Sequence, residues 1–136
     1  MTNRLKISCS KDNLKNIRDF VTGALKNHGL DEVEMNNIVL AVDEVSANLI
    51  IHSHACNPDD HFDLIIRKET AGISFEFIDQ GVGFDIKSYK SPSIQEIVEK
   101  KRKGGIGLIL VRRIMDDINF QNDGNKCVCR LFKKIR

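Results

Sequence analysis

Asp79-Gln80-Gly81-Val82-Gly83-Phe84-Asp85 is the stretch on which the reading of this chain turns. Just upstream, residues 72–79 alternate, with Ile73, Phe75 and Phe77 on one side. A strand therefore runs straight into Asp79 and then into two glycines set two apart. A carboxylate at a strand end can accept a hydrogen bond from the amino group of a base. Glycines let the main chain bend sharply and approach a flat ring. The plainer alternative is a tight turn, because Asp-x-Gly-x-Gly strings are common.

Working outward, residues 61–69 alternate too, through Phe62, Leu64 and Ile66, and Glu69-Thr70-Ala71-Gly72 reads as a hairpin turn between the two strands. Residues 3–9 form a further strand, with Leu5, Ile7 and Cys9 against Arg4, Lys6 and Ser8. Ser10 then reads as an N-cap, and Leu14, Ile17, Val21, Ala24 and His28 step by helical spacing to a stop near Gly29. A second helix is expected from about Asp31 to Ser53, with a stripe of Met35, Ile38, Val42, Val45 and Leu49. Val39, Leu40, Ile50 and Ile51 make it apolar nearly all round, so it should be central. Downstream of the glycines the chain stays polar to Gly104, with Pro92 inside and room for a short helix over Ile94 to Lys101. A segment of that kind is usually a functional loop, and a lid is expected at 84–104. A third helix, Ile106 to about Asp117, and strands near 118–122 and 126–133 close the chain. The sum is an α+β two-layer sandwich: a mixed, mostly antiparallel sheet of about five strands with helices on one face.

The 136 residues suit one domain, 1–136, with one core, and 41% hydrophobic against 29% charged residues is a globular balance that argues against disorder. A net charge of +2 leaves no nucleic-acid footprint, so no direct nucleic-acid partner is expected. No apolar run has the length of a membrane span, and the N-terminus has no apolar signal core. Cys9, Cys56, Cys127 and Cys129 show no framework spacing, and reduced thiols in a cytoplasmic protein account for them most simply.

Two more places could carry chemistry. Glu44 and Asn48 lie four apart and share a face of the second helix. Glu44 could orient or deprotonate a hydroxyl, and Asn48 could supply a neutral oxygen to Mg²⁺, which keeps several waters and takes few protein ligands. Taken alone, the simpler reading is a polar face lying on solvent. Lys103-Gly104-Gly105-Ile106-Gly107-Leu108 opens the third helix, where unpaired N–H groups and the helix dipole attract phosphate. The alternative there is a hinge. The glycines form neither a P-loop nor a Rossmann fingerprint.

The order of these pieces is what distinguishes them: helix Glu-x-x-x-Asn, then strand Asp-x-Gly-x-Gly, then Gly-x-Gly-Leu opening a helix. It resembles the N-box and the two glycine boxes of the GHKL, or Bergerat-fold, ATPases, over roughly residues 40–117 by motif. That family includes gyrase subunits, heat-shock chaperones, mismatch-repair ATPases, histidine kinases and anti-sigma-factor serine/threonine kinases. Glu44-Val-Ser-Ala-Asn48-Leu-Ile-Ile-His52 looks like the N-box of the last group. The resemblance implies ATP and Mg²⁺ as cofactors. It implies Glu44 as the base or polarising group, Asn48 as the Mg²⁺ ligand and Asp79 as the reader of the adenine amino group. Gly81 and Gly83 would shape the adenine pocket, and Gly105, Ile106, Gly107 and Leu108 would meet the phosphates. It further implies a STAS-type antagonist as phosphorylated substrate, a sigma factor as bound partner, and a homodimer. One departure stands out: where the family often has a Gly-Thr pair opening the last strand, this chain has Gly124-Asn125-Lys126-Cys127.

Other readings compete. The chain could be a nucleotide-gated binding module without kinase activity, or a switch kinase or detached histidine-kinase ATPase domain in a stress-signalling complex. His52, Ser53, His54, Cys56 and His61 could be taken for a zinc site, but their spacing fits no common one. Lys100-Lys101-Arg102-Lys103 could neutralise phosphate or simply face solvent, as could Arg112 and Arg113.

Overall fold

The computed structural model describes residues 2–26, 28–80, 105–123 and 126–135. The expected lid at 84–104, the short helix within it, the Lys100–Lys103 run, Gly81, Gly83 and Gly124-Asn125 lie outside these.

Five strands form one sheet: β1 (Thr2–Ser8), β2 (His61–Lys68), β3 (Gly72–Gln80), β4 (Asp117–Asp123) and β5 (Lys126–Lys134). Their order is β1-β2-β3-β5-β4, and all four pairings are antiparallel. Period-two alternation puts Ile7, Phe62, Leu64, Ile66, Ile73, Phe75, Phe77, Cys129 and Leu131 on one buried face. Phe62, Phe75 and Phe77 are each fully enclosed, worth ~2–3 kcal/mol apiece in apolar burial. The opposite face is largely polar, with ion pairs Arg4–Asp63, Arg67–Glu76 and Arg130–Glu69. The β2–β3 hairpin turns at the expected Glu69–Gly72, where the two residues exchange main-chain hydrogen bonds of 2.7 and 3.4 Å. Gly72 is required: a Cβ there would run into the main-chain carbonyl of Lys133.

Helices α1 (Asn13–Leu25), α2 (Glu32–Ala47) and α3 (Gly105–Ile114) pack together, with α2 between the other two. The start of α1 differs from expectation. Lys11 and Asp12 form a turn, Asp12 is the capping residue, and the Ser10 hydroxyl reaches only the Asp12 N–H at 3.4 Å. The helix also stops early, at Leu25, because Lys26 is extended (ψ 143°). Gly29, with φ 73°, instead turns the link to α2. Asp31 caps α2 by accepting from the Glu34 N–H at 2.7 Å. The α-helix ends at Ala47, and the chain continues to Ser53 as a π-helix (Asn48–Ser53). Leu40, read from sequence as part of an all-round apolar surface, is 38% exposed. α3 ends at Ile114, short of the expected Asp117, where Lys133 Nζ donates to the Ile114 carbonyl at 2.8 Å. No helix among the described residues is long and apolar enough to cross a membrane.

Candidate functional site

Asp79 continues the inner-face row of Ile73, Phe75 and Phe77 by one more step of two. The alternation that builds the core thus drives a carboxylate into it, and Asp79 is fully buried. A bare buried carboxylate would be costly, so it needs a partner. The partner is His54, whose Nε2 lies 2.9 Å from both Asp79 oxygens. The other ring nitrogen, Nδ1, lies 2.9 Å from Oδ2 of Asp60. Burial acts to lower the His54 pKa, but hydrogen bonds and charge from Asp60 and Asp79 outweigh it and hold it above 6.5.

The route from α2 to His54 is short. The π-helix carries the chain from Asn48 to Ser53, and the His54 N–H closes a π-type bond to the Leu49 carbonyl at 3.0 Å. Single π turns of this kind are frequent at functional sites. Ala55 and Cys56 then adopt left-handed φ of 49° and 59°, with the Cys56 N–H bonded to the Ile50 carbonyl at 2.8 Å. These two residues end the helix and turn the chain into the loop that carries Asp60.

Glu44 and Asn48 are half-buried at the end of α2. The Asn48 side-chain N–H donates to the Glu44 main-chain carbonyl at 3.1 Å. That contact uses the amide nitrogen and leaves Oδ1, the atom type Mg²⁺ takes, at the other branch. The Glu44 carboxyl is held above its ordinary value, first by burial and then by the neighbouring Asp43 charge. Gly105, Ile106, Gly107 and Leu108 form the first turn of α3, whose leading N–H groups have no partner within the helix.

The structure therefore joins Glu44 and Asn48 on one helical segment, and ties that segment to Asp79 through His54. A carboxylate has about four lone-pair sites, so a pair of bonds to one imidazole still leaves Asp79 able to accept from an amino group. The residues fit a base at Asp79, a divalent cation at Asn48 Oδ1 and phosphates at the start of α3.

In the sequence His54 stands out only as part of a possible zinc cluster. Asp60 stands in the sequence only as part of the Asn57-Pro58-Asp59-Asp60 loop, six positions after the histidine it faces. His61, from the same cluster, sits with Nδ1 3.1 Å from the Asp59 carbonyl. Cys127 lies directly opposite Asp79 in the β3–β5 register. Cys9 and Cys129, like all four cysteines, are free thiols, and burial pushes Cys9 from 9.0 up to about 12.

A histidine kinase-like ATPase domain model matches residues 7–131. The chain is 26% identical over 106 residues to the serine-protein kinase RsbW of Oceanobacillus iheyensis, covering 75% of this chain and 67% of that protein. It is 24% identical over 123 residues to RsbW of Bacillus cereus, covering 88% of this chain and 76% of that protein. A crystal structure of the RsbU and RsbW domains from Mycobacterium tuberculosis superposes with a TM-score of 0.68 at 12% identity. It covers 98% of this chain, which spans 32% of that longer one. The SiaB–SiaC complex from Pseudomonas aeruginosa gives a TM-score of 0.66 at 10% identity, covering 98% of this chain and 89% of the matched one. These two likenesses match the sheet and helices described above. With the family model spanning nearly its whole length, this chain belongs to the histidine kinase-like ATPase domain family.

Proposed function

We propose that the chain is an ATP-binding protein serine/threonine kinase of the anti-sigma-factor type, acting in transcription regulation in the cytoplasm. The observation that carries this reading is the buried Asp79 at the end of a core strand, linked through His54 to the segment bearing Glu44 and Asn48. Likeness to proteins named serine-protein kinase RsbW supports the kinase class. In this reading residues 1–136 form one nucleotide-binding domain, and the stretch 84–104 serves as lid.

Bound Mg²⁺-ATP would supply the transferable phosphoryl group, in chemistry that asks mainly for positioning and charge neutralisation. Asp79 accepts from the base amino group, and Gly81 and Gly83 let the main chain lie against the ring. Asn48 Oδ1 holds the metal. The first turn of α3, from Gly105 through Leu108, donates main-chain N–H groups to phosphate. Glu44 orients the acceptor hydroxyl and takes its proton, a role helped by a pKa raised toward neutrality. The protein substrate is a Ser or Thr on a STAS-type antagonist, the partner held in check is a sigma factor, and the active form is a homodimer.

A second reading is a nucleotide-gated binding module without kinase activity. The observation in its favour is the absence of a Thr from Gly124-Asn125-Lys126-Cys127, where the family often has a Gly-Thr pair opening the last strand. The experiment is calorimetric titration with ATP, with and without Mg²⁺, followed by transfer of labelled γ-phosphate to a STAS protein. Magnesium-dependent binding with transfer supports the kinase. Binding that changes partner affinity without any transfer supports the module. No binding at millimolar ATP removes both.

A further inference from the structure

The two ring nitrogens of His54 each face a carboxylate at 2.9 Å, Asp60 on one side and Asp79 on the other. A neutral imidazole has one N–H and one lone pair, so it satisfies one of these contacts and sets a lone pair against the other. An imidazolium donates to both. The surroundings favour the same state: the His54 side chain is 2% exposed and Asp79 0%, so each is the other's compensation for burial. Asp60, with its side chain 39% exposed, is the one member that reaches water.

Among the described residues, Lys6, Asp59 and His61 line one surface pocket with Asp60, and two thiols lie near the buried side of the cluster. Cys9, at the end of β1, feels the charges of Asp79 and Asp60 and of Cys56, which lies in the turn after His54. Burial and those charges keep Cys9 protonated well beyond neutral pH. The two acids that face the His54 ring outweigh its burial and hold its proton above the ordinary 6.5. The main chain fixes the ring's origin, through the N–H bond to Leu49 and the left-handed turn at Ala55 and Cys56.

We propose that His54 is the positioning residue of the base pocket: shared as an imidazolium between Asp60 and Asp79, it fixes the Asp79 carboxylate for an adenine amino group. Adenine affinity then depends on a proton that never touches the ligand. This rests on Asp79 as the base-reading carboxylate. Loss of the proton leaves one donor for two acids, loosens Asp79 and weakens binding of the base whatever phosphates it carries.

The test is calorimetric titration of the full chain with adenosine and with ADP at intervals from pH 6 to 9. Adenosine has no group titrating there, and ADP provides the tighter readout. Wild type should lose adenosine affinity severalfold as pH rises, and its ADP affinity should fall by the same factor relative to His54→Gln, a ratio from which titration of the terminal phosphate cancels. His54→Gln keeps an N–H for Asp79 but no titrating proton. It should bind about as wild type does at high pH, some tenfold weaker than wild type at pH 6, with a flat profile for adenosine. Asp60→Asn alters only the partly exposed member, and should shift the wild-type profile to lower pH without abolishing it. If wild type binds while His54→Gln and Asp60→Asn keep its affinity and profile, the positioning role is wrong and the base pocket stands. If wild type binds neither adenosine nor ADP, the base pocket is wrong and the positioning role falls with it.

Discussion

Asn48 bonds its side-chain N–H to the main-chain carbonyl of Glu44, the residue one turn before it, at the point where α-helix gives way to π-helix. The bond fixes which branch of the amide points onward. Replacing Asn48 with Ala removes the oxygen proposed for the metal and keeps the backbone in a residue type that favours helix. Asn48→Ala should lose the Mg²⁺-dependent part of ATP affinity, about tenfold or more, with thermal stability unchanged or slightly raised. Titrations with and without Mg²⁺ check this, and an unchanged magnesium effect would place the metal elsewhere.

Glu44 is raised above the 4.5 of an ordinary glutamate, by burial and by Asp43. The fold thus disfavours its charged form: the cost is present above the folded pKa and is relieved as pH falls through it. Glu44→Gln should remove that cost and hold or raise stability at pH 7. It should cut phosphoryl transfer by about 10²–10⁴-fold while ATP binding persists. Label-transfer rates beside urea midpoints decide it. Wild-type transfer should also fall on the acid side, with a midpoint above pH 4.5. Retained transfer in Glu44→Gln would deny Glu44 the role of base.

His54 acquires its two acids only on folding, so its folded pKa lies above the unfolded 6.5. The stability it contributes is fully present below about pH 6.5 and is lost as pH rises through the folded value. Urea midpoints should therefore decline from pH 6 toward pH 8, and the decline should flatten in His54→Gln. The window ends there because Cys9 and Cys129, raised by burial from 9.0, add a loss of their own as unfolded thiols ionise. A midpoint that is level across the window would show that His54 does not carry the charge its geometry calls for.

Gly72→Ala drives a methyl into the Lys133 carbonyl where β3 meets β5. The obstacle is main chain rather than a flexible side chain, so strands must part. A loss of about 2–3 kcal/mol is expected, read as a lower urea midpoint. Gly23→Ala is the control, since nothing lies within 4 Å of a Cβ there and the change suits a helix interior.

Much of this was legible in the residues. Alternation located β1, β2 and β3, the closing strands expected near 118–122 and 126–133 match β4 and β5, and the strand running into Asp79 set that carboxylate at a strand end. Asp31 signalled the start of α2 and Glu69–Gly72 the hairpin. What escaped notice has a common physical cause. The bond between His54 and Asp79 joins residues 25 positions apart, and only the β2–β3 pairing brings the second into reach of the first. The π-helix was invisible because helical periodicity barely registers one wide turn. The early end of α1 followed from Lys26 turning extended, for which no residue type in Leu25-Lys26-Asn27 gives a signal.

The strand order β1-β2-β3-β5-β4 also has a kinetic side. Two hairpins, β2–β3 and β4–β5, join neighbours in sequence and can form locally within microseconds. The remaining pairings wait on long closures, with Ser8 finding His61 and Gln80 finding Lys126. Such non-local pairings slow the search, so the final assembly of the two hairpins with β1 should set the folding rate. Closure entropy grows only with the logarithm of length, about 0.6 kcal/mol per doubling. Chains that build this sheet can therefore lengthen or shorten the span between β3 and β4 at little cost to stability, which leaves that span open to adaptation while the sheet stays the same.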